Sequence, residues 1–300
     1  MAGLRHFLTF QELSREEILS LLDRSRELKA EIRREGSPRP LDGRTVGMIF
    51  EKPSTRTRVS FEVGIHQLGG QAVFLSARDI QIGRGEPVRD TARVLSRYLD
   101  ALVIRCYGHE ILEEFVKWAT VPVVNGLSDL HHPCQILGDL LTLQEAGLDV
   151  CSMKASWIGD GNNVANSWID AAAKLGFTLN LACPEGYDPS IPFNSDKIFL
   201  TRDPVQAIKG ADVVSTDVWA SMGQESEIGV RQEVFKQYQV NSELLKHAAD
   251  PVYVLHCLPA HRGEEITDEV MESRQSLVWE QAENRLHVQK AILEMLFKGL

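Results

Sequence analysis

No apolar run in this 300-residue chain approaches the roughly 18–20 residues of a membrane-spanning helix, so we expect no membrane partner. Met1 to Phe10 carries no extended apolar stretch, and we expect no secretory signal. Basic residues are in the minority: 32 Lys and Arg stand against 42 Asp and Glu, a formal net charge of −10. Nucleic-acid backbones need a clustered basic face, so no nucleic-acid partner is expected. A small phosphorylated substrate is still permitted, because a few local arginines decide that. Cysteines are few, odd in number and scattered: Cys106, Cys134, Cys151, Cys183 and Cys257. That suits reduced thiols in a cytoplasmic protein and not a disulfide framework. No cysteine pair has zinc-type spacing, and His131-His132 with Cys134 is too short for a finger. We therefore expect no metal. Low-complexity segments and repeats between the two halves are also missing.

What is present is a chain 43% hydrophobic, enough to fill a core in two ordinary α/β domains. Ser14 with Glu17 three positions on reads as a capping box, followed by Ile18, Leu21, Leu22 and Leu28 on one helical face. From Thr45, apolar β-branched runs alternate with helical stretches. Strands are predicted at Thr45–Phe50, Gln71–Leu75, Ala101–Arg105 and Val121–Asn125, with helices at 55–68, 88–99 and 110–120. A long helix follows at 133–146. After Gly147 the alternation restarts, with strands at 155–158, 178–182, 212–216 and 252–256 and helices near 163–175 and 203–209. A last amphipathic helix covers about 281–297. Short apolar strands with helical crossovers mean parallel sheets covered on both faces. The expected fold is α/β: two domains, each a parallel sheet flanked by helices, joined by linking helices. The first domain spans 1–147, with 281–300 packing back on it, and the second spans 148–280.

In such sheets ligands bind beyond the carboxyl ends of the strands. The first such place is Ser54-Thr55-Arg56-Thr57-Arg58, preceded by Lys52 and Pro53. It sits where a strand turns into a helix, whose first N–H groups lack partners and whose dipole is positive. Hydroxyls and guanidiniums there suit a phosphate or a comparable dianion. An ordinary Ser/Thr cap with solvated arginines is the plain alternative. Arg105 follows the third strand. His132-Pro133-Cys134-Gln135 follows the fourth, where Pro133 opens a helix and His132 is either its cap or a functional donor. Arg105, His132 and Gln135 together offer donors for a carbonyl oxygen or a phosphate.

In the second half, Gly159-Asp160-Gly161-Asn162-Asn163 follows a strand and opens a helix. Alone, it reads as a degenerate dinucleotide turn, with Val164 in place of the third glycine. The next strand end gives Asp217, then Trp219, Ser221, Met222 and Gly223. A carboxylate, a hydroxyl and a glycine hinge suit capture of an ammonium group by a mobile loop. The last strand ends in His256-Cys257-Leu258-Pro259. Buried free cysteine is ordinarily a small hydrophobe, which is the reading for Cys106, Cys151 and Cys183. Cys257 differs, because it closes a strand where the other candidate groups converge.

Taken together, these motifs resemble those of the ornithine carbamoyltransferases over nearly the whole chain. Ser54 to Arg58 and His132 to Gln135 are similar to the motifs of carbamoyltransferases in general. Asp217 with Ser221-Met222-Gly223, and His256-Cys257-Leu258-Pro259, point to ornithine as acceptor. The resemblance implies transfer of a carbamoyl group from carbamoyl phosphate to the δ-amine of L-ornithine, giving L-citrulline and phosphate. It implies no cofactor. Carbamoyl phosphate would be held by Ser54, Thr55, Arg56 and Thr57 at its phosphate, and by Arg105, His132 and Gln135 at its carbamoyl end. Gln81 and Arg285 would complete that site, with Cys257 and Leu258 lying between the substrates. Asn163, Asp217, Ser221 and Met222 would hold the α-groups of ornithine. Arg105, His132, Cys257 and Asp217 would serve catalysis, in a homotrimer or a multiple of trimers.

Two other classes compete. A nicotinamide-dependent dehydrogenase would use Gly159-x-Gly161, but it leaves the Ser54–Arg58 cluster idle. An amino-acid sensor without turnover would not need Arg56, His132, Asp217 and Cys257 together. Putrescine and acetylornithine remain alternative acceptors.

Overall fold

The computed structural model describes residues 4–31, 39–76, 85–220 and 225–298. The chain divides into two units: residues 1–141 with 283–300, and residues 142–282.

In the first unit, helix α1 (Arg15–Glu31) precedes β1 (Thr45–Phe50), α2 (Thr55–Gln67) and β2 (Gln71–Ser76). Then come α3 (Val88–Leu95), β3 (Ala101–Arg105), α4 (His109–Trp118), β4 (Val123–Leu127) and α5 (Pro133–Glu145), whose last turn belongs to the second unit. The capping box is present: Ser14 N–H donates to Glu17 at 2.8 Å, and Glu17 N–H donates back to Ser14 Oγ at 3.2 Å. All strand pairs are parallel, in the order β2-β1-β3-β4. Every residue of β3 is buried, as a strand covered on both faces requires. Phe50 pairs with Arg105, and Arg105 with Leu127, so β1, β3 and β4 end at one sheet edge.

The second unit runs β5 (Lys154–Ile158), α6 (Asn163–Leu175), β6 (Thr178–Ala182), β7 (Ile198–Thr201), α7 (Pro204–Ile208) and β8 (Val213–Thr216). It continues with α8 (Ile228–Phe235), α9 (Ser242–Leu245), β9 (Tyr253–His256) and α10 (Asp268–Met271). The final helix, α11 (Val278–Lys298), begins in this unit and ends in the first. The sheet is again wholly parallel, in the order β7-β6-β5-β8-β9. Thr216 pairs with His256, which levels the ends of β8 and β9. Helix α6 starts at the Asn162 cap and stops at Gly176, whose φ of 82° is the left-handed turn that glycine adopts without strain. Phe235, fully buried beside Trp219, Tyr187 and Tyr238, anchors the core of this unit. Truncating it to alanine would cost about 3–5 kcal/mol.

The predicted α/β class and parallel sheets hold. Strand β4 lies two residues later than the predicted 121–125, because Phe7 forms a bridge with Val124 and sets its register. Helix α3 stops at Leu95, short of 99, where Ser96 turns its hydroxyl onto the carbonyl of Ala92. Strand β7 and helices α8 to α10 were not predicted.

Candidate active site

In the first sheet the connections reverse direction between β1 and β3, which makes the loops after these strands the switch point where ligands bind. Ser54 is the N-cap of α2, and its Oγ accepts from Thr57 N–H at 3.3 Å. Thr55 opens the helix and is exposed, while Thr57 is buried. Arg285 of α11 donates from Nη2 to Thr57 Oγ1 at 2.7 Å, which places a second cation against the positive end of α2. Arg105 closes β3 and is buried. The His132 carbonyl accepts from Gln135 and Ile136 N–H and so starts α5. Gln135 donates from Nε2 to Asp139 at 2.8 Å, leaving its Oε1 as a buried acceptor with no protein partner.

Burial, first, and then the guanidiniums of Arg285, Arg105 and Arg56 hold His132 far below the ordinary imidazole range. Three cations therefore gather around one neutral ring. An array of that kind favours an anionic ligand, and a neutral imidazole offers it an N–H without adding charge. Arg58 does not share in this array. It lies 3.6 Å over the Phe74 ring and donates to Glu62 at 2.9 Å, holding α2 to β2. Lys52, which the sequence marked only as a flank, is almost fully buried, paired with Asp129 and 4.1 Å over the Tyr107 ring. Its position two residues beyond a buried strand was the available signal. Gln81 lies outside the described residues, as do Ser221 and Met222.

In the second sheet the reversal falls between β5 and β8, and the groups at that edge form one connected network. Asn162 Oδ1 accepts from Val164 and Ala165 N–H at 2.9 and 3.2 Å, capping α6, while its Nδ2 donates to Asp217 Oδ2 at 2.8 Å. Asp217 Oδ1 accepts from Val218 N–H at 2.8 Å and from the Cys257 thiol at 2.9 Å. Asn163 is the first residue of α6 and half-buried. His256 is buried, accepts at Nδ1 from Leu258 N–H at 2.9 Å and pairs through Nε2 with Glu265 at 3.0 Å. Leu258 thereby holds a φ of 58°, a conformation unfavourable for leucine that the surrounding bonds impose. Asp217, His256 and Cys257 bring one polar atom each within 4.8 Å, and both His256 nitrogens are already engaged.

Behind this edge, Arg231 donates to Asp160 at 2.9 Å, to the Trp219 carbonyl at 2.8 Å and to Glu227 at 2.9 Å. Burial raises the Asp160 pKa, and Arg231 offsets part of that rise. A Cβ on Gly161 would meet the backbone of Asp188 and Pro189 at 2.2–2.3 Å. The second glycine of the turn is thus covered by the chain itself, where a dinucleotide turn must let a pyrophosphate approach. Burial pushes the Cys106 and Cys134 thiols up to about 12 and raises Cys183 further, which leaves them inert. Cys151, expected in the core, is half-buried.

Two family descriptions match consecutive parts of the chain. Residues 5–145 match the carbamoyl-P binding domain of aspartate/ornithine carbamoyltransferases, and residues 152–296 match their Asp/Orn binding domain. The chain belongs to the aspartate/ornithine carbamoyltransferase family. It is 54% identical to the ornithine carbamoyltransferase of Geobacter metallireducens, covering 98% of this chain and 99% of that one. Identity to the anabolic ornithine carbamoyltransferase of Pseudomonas aeruginosa is also 54%, over 99% and 98% of the two chains. The solved ornithine carbamoyltransferase of Pyrococcus furiosus superposes with a TM-score of 0.92 at 48% identity, over 99% and 98%. As a carbamoyltransferase, the chain carries the cationic array in the part matched to carbamoyl phosphate binding. The Asp217 network lies in the part matched to acceptor binding.

Proposed function

We propose that the protein transfers the carbamoyl group of carbamoyl phosphate to the δ-amine of L-ornithine, releasing L-citrulline and phosphate. The observation that carries the donor half is the gathering of Arg56, Arg105 and Arg285 around neutral His132. Arg56, Arg285 and the N-terminus of α2, with Ser54, Thr55 and Thr57, hold the phosphate dianion. Arg105 and the His132 N–H point to the carbonyl oxygen, where negative charge develops as the amine attacks. The buried Gln135 Oε1 accepts from the carbamoyl NH₂. Gln81 completes this set.

For the acceptor, Asp217 receives the α-ammonium of ornithine, and Asn163, Ser221 and Met222 receive its carboxylate. Ornithine and aspartate both carry the α-ammonium that Asp217 receives, so the choice of ornithine rests on the relatives, which are ornithine carbamoyltransferases at 54% identity. Cys257 and Leu258 border the reacting amine. Holding donor and acceptor on one polypeptide replaces a bimolecular encounter by a positioned one. The phosphate leaves already neutralised, and no covalent enzyme intermediate is needed.

We also propose a cytoplasmic homotrimer. In support, β2 is a half-buried edge strand beside a face of α2 that exposes Val59 and Val63. Sedimentation of the purified protein at a monomer mass removes that part. The reaction is tested with carbamoyl phosphate and a panel of ornithine, putrescine, acetylornithine and aspartate, scoring ureido product and phosphate. Release of phosphate without citrulline, or equal use of putrescine, overturns the assignment.

A further inference from the structure

Asn162 is not among the residues through which the resemblance would hold substrate, yet it makes the bond that fixes Asp217. Its side chain spends both ends. The carbonyl oxygen satisfies two of the free N–H groups of α6, and the amide nitrogen reaches the Asp217 carboxylate at 2.8 Å. Only a side chain with an acceptor and a donor on one planar carbon does both. Serine caps a helix as well as asparagine does but is too short to span to Asp217. Aspartate also caps, and even favours the helix dipole, yet it would set a second anion against Asp217.

The count of bonds on Asp217 shows what this achieves. An ionised carboxylate offers about four acceptor positions. Among the described residues three are taken, two on Oδ1 by Val218 N–H and the Cys257 thiol, one on Oδ2 by Asn162. Donors on both oxygens fix the plane of the carboxylate and, among the described residues, leave a second acceptor position on Oδ2. We propose that Asn162 is a positioning residue for the acceptor amino acid: it holds Asp217 in the one orientation that receives the α-ammonium, and so sets acceptor affinity. The inference rests on the reading of Asp217 as the ammonium anchor.

The experiment compares Asn162→Ser, Asn162→Asp and Asp217→Asn, each with ornithine and with norvaline, which keeps the α-groups but lacks the reactive δ-amine. Loss of a bond to a charged group predicts that both Asn162 variants raise the ornithine KM and the norvaline inhibition constant about tenfold or more, by the same factor, with a smaller fall in kcat. Carbamoyl phosphate affinity stays within about twofold, and Asn162→Asp keeps its helix cap, so a fall in its melting temperature reports only the charge set against Asp217. If Asp217→Asn leaves the norvaline constant unchanged, the underlying anchor reading fails. If Asp217→Asn raises it while Asn162→Asp does not, the anchor stands and the positioning role of Asn162 is overturned. A loss in Asn162→Ser that tracks its melting temperature, with Asn162→Asp at wild-type affinity, overturns it equally.

Discussion

The Cys257 sulfur lies 2.9 Å from Asp217 Oδ1 and donates its hydrogen to it. Cys257 is therefore a donor in this network, and the same carboxylate it holds is the one that Asn162 and Val218 hold.

Serine keeps a donor at position 257 and alanine removes it, which separates hydrogen bonding from sulfur chemistry. Cys257→Ala should raise the ornithine KM about tenfold, the order expected for a bond to a charged group, and Cys257→Ser should raise it less. Steady-state kinetics at saturating carbamoyl phosphate reads both. Identical KM values for the two variants would show that the donor to Asp217 is not what the cysteine supplies.

Arg285 bonds to Thr57 and also depresses the basicity of His132. Arg285→Ala should therefore weaken carbamoyl phosphate binding at least about tenfold, measured by calorimetry without ornithine. In the same variant the His132 imidazole should titrate at higher pH, because one opposing charge is gone. NMR of the imidazole protons follows that shift. Unchanged binding together with an unchanged titration would place Arg285 outside the phosphate site.

Much of this arrangement was legible in the sequence, and the reason is positional. Arg105, His132, Asp217 and Cys257 each close or follow an apolar β-branched run, so the strand-end rule placed them at the sheet edges without a structure. The parallel sheets were legible for the same cause. Strand β7 was not, although Ile198-Phe199-Leu200 is apolar, because no helix separates it from β6 and the strand–helix alternation passes over it. Helices α9 and α10 span four residues each, one turn, too short to show a period. Asn162 was hidden in a glycine-rich turn that reads as a nucleotide motif, and its partner is 55 residues away. Arg58 misled in the opposite sense. It stands two residues beyond Arg56, about 200° around α2, and that turn carries it onto Phe74.

Arg231 tests whether the network behind the acceptor edge matters for the fold or for the substrate. It is buried, and it pairs with Asp160 while holding the Trp219 carbonyl. Removing it by Arg231→Met leaves the buried Asp160 carboxylate unpaired, at a cost of about 3–5 kcal/mol. Thermal unfolding should shift down by several degrees, and the ornithine KM should rise because Trp219 follows Asp217 by two residues. Adding Asp160→Asn should restore most of the melting temperature without restoring the KM. A double variant as unstable as the single one would show that the ion pair is not the source of the loss.

Acid sensitivity follows from the histidines. Burial holds His132 well below its ordinary value, and burial with the nearby His109 holds His131 at about 4. Burial with Lys290 and Lys29 holds His287 at about 3. In the unfolded chain these rings titrate near pH 6.5. Above that pH neither state binds the protons, and stability is at its full value. Below it the unfolded state takes up protons that the folded state refuses, so stability falls as the pH drops, until the folded pKa values are reached. Carboxylates whose pKa is lowered by folding, such as Asp100 and Asp188, act only lower down, while Asp160 and Glu12, raised by burial, protonate earlier in the folded state and offset part of the decline. The urea midpoint should therefore decline steadily between pH 7 and 5. His287→Gln removes one of the titrating rings, and its midpoint should decline less steeply over the same interval. Parallel slopes in the two proteins would show that His287 takes up its proton equally in both states, against the burial that α11 gives it.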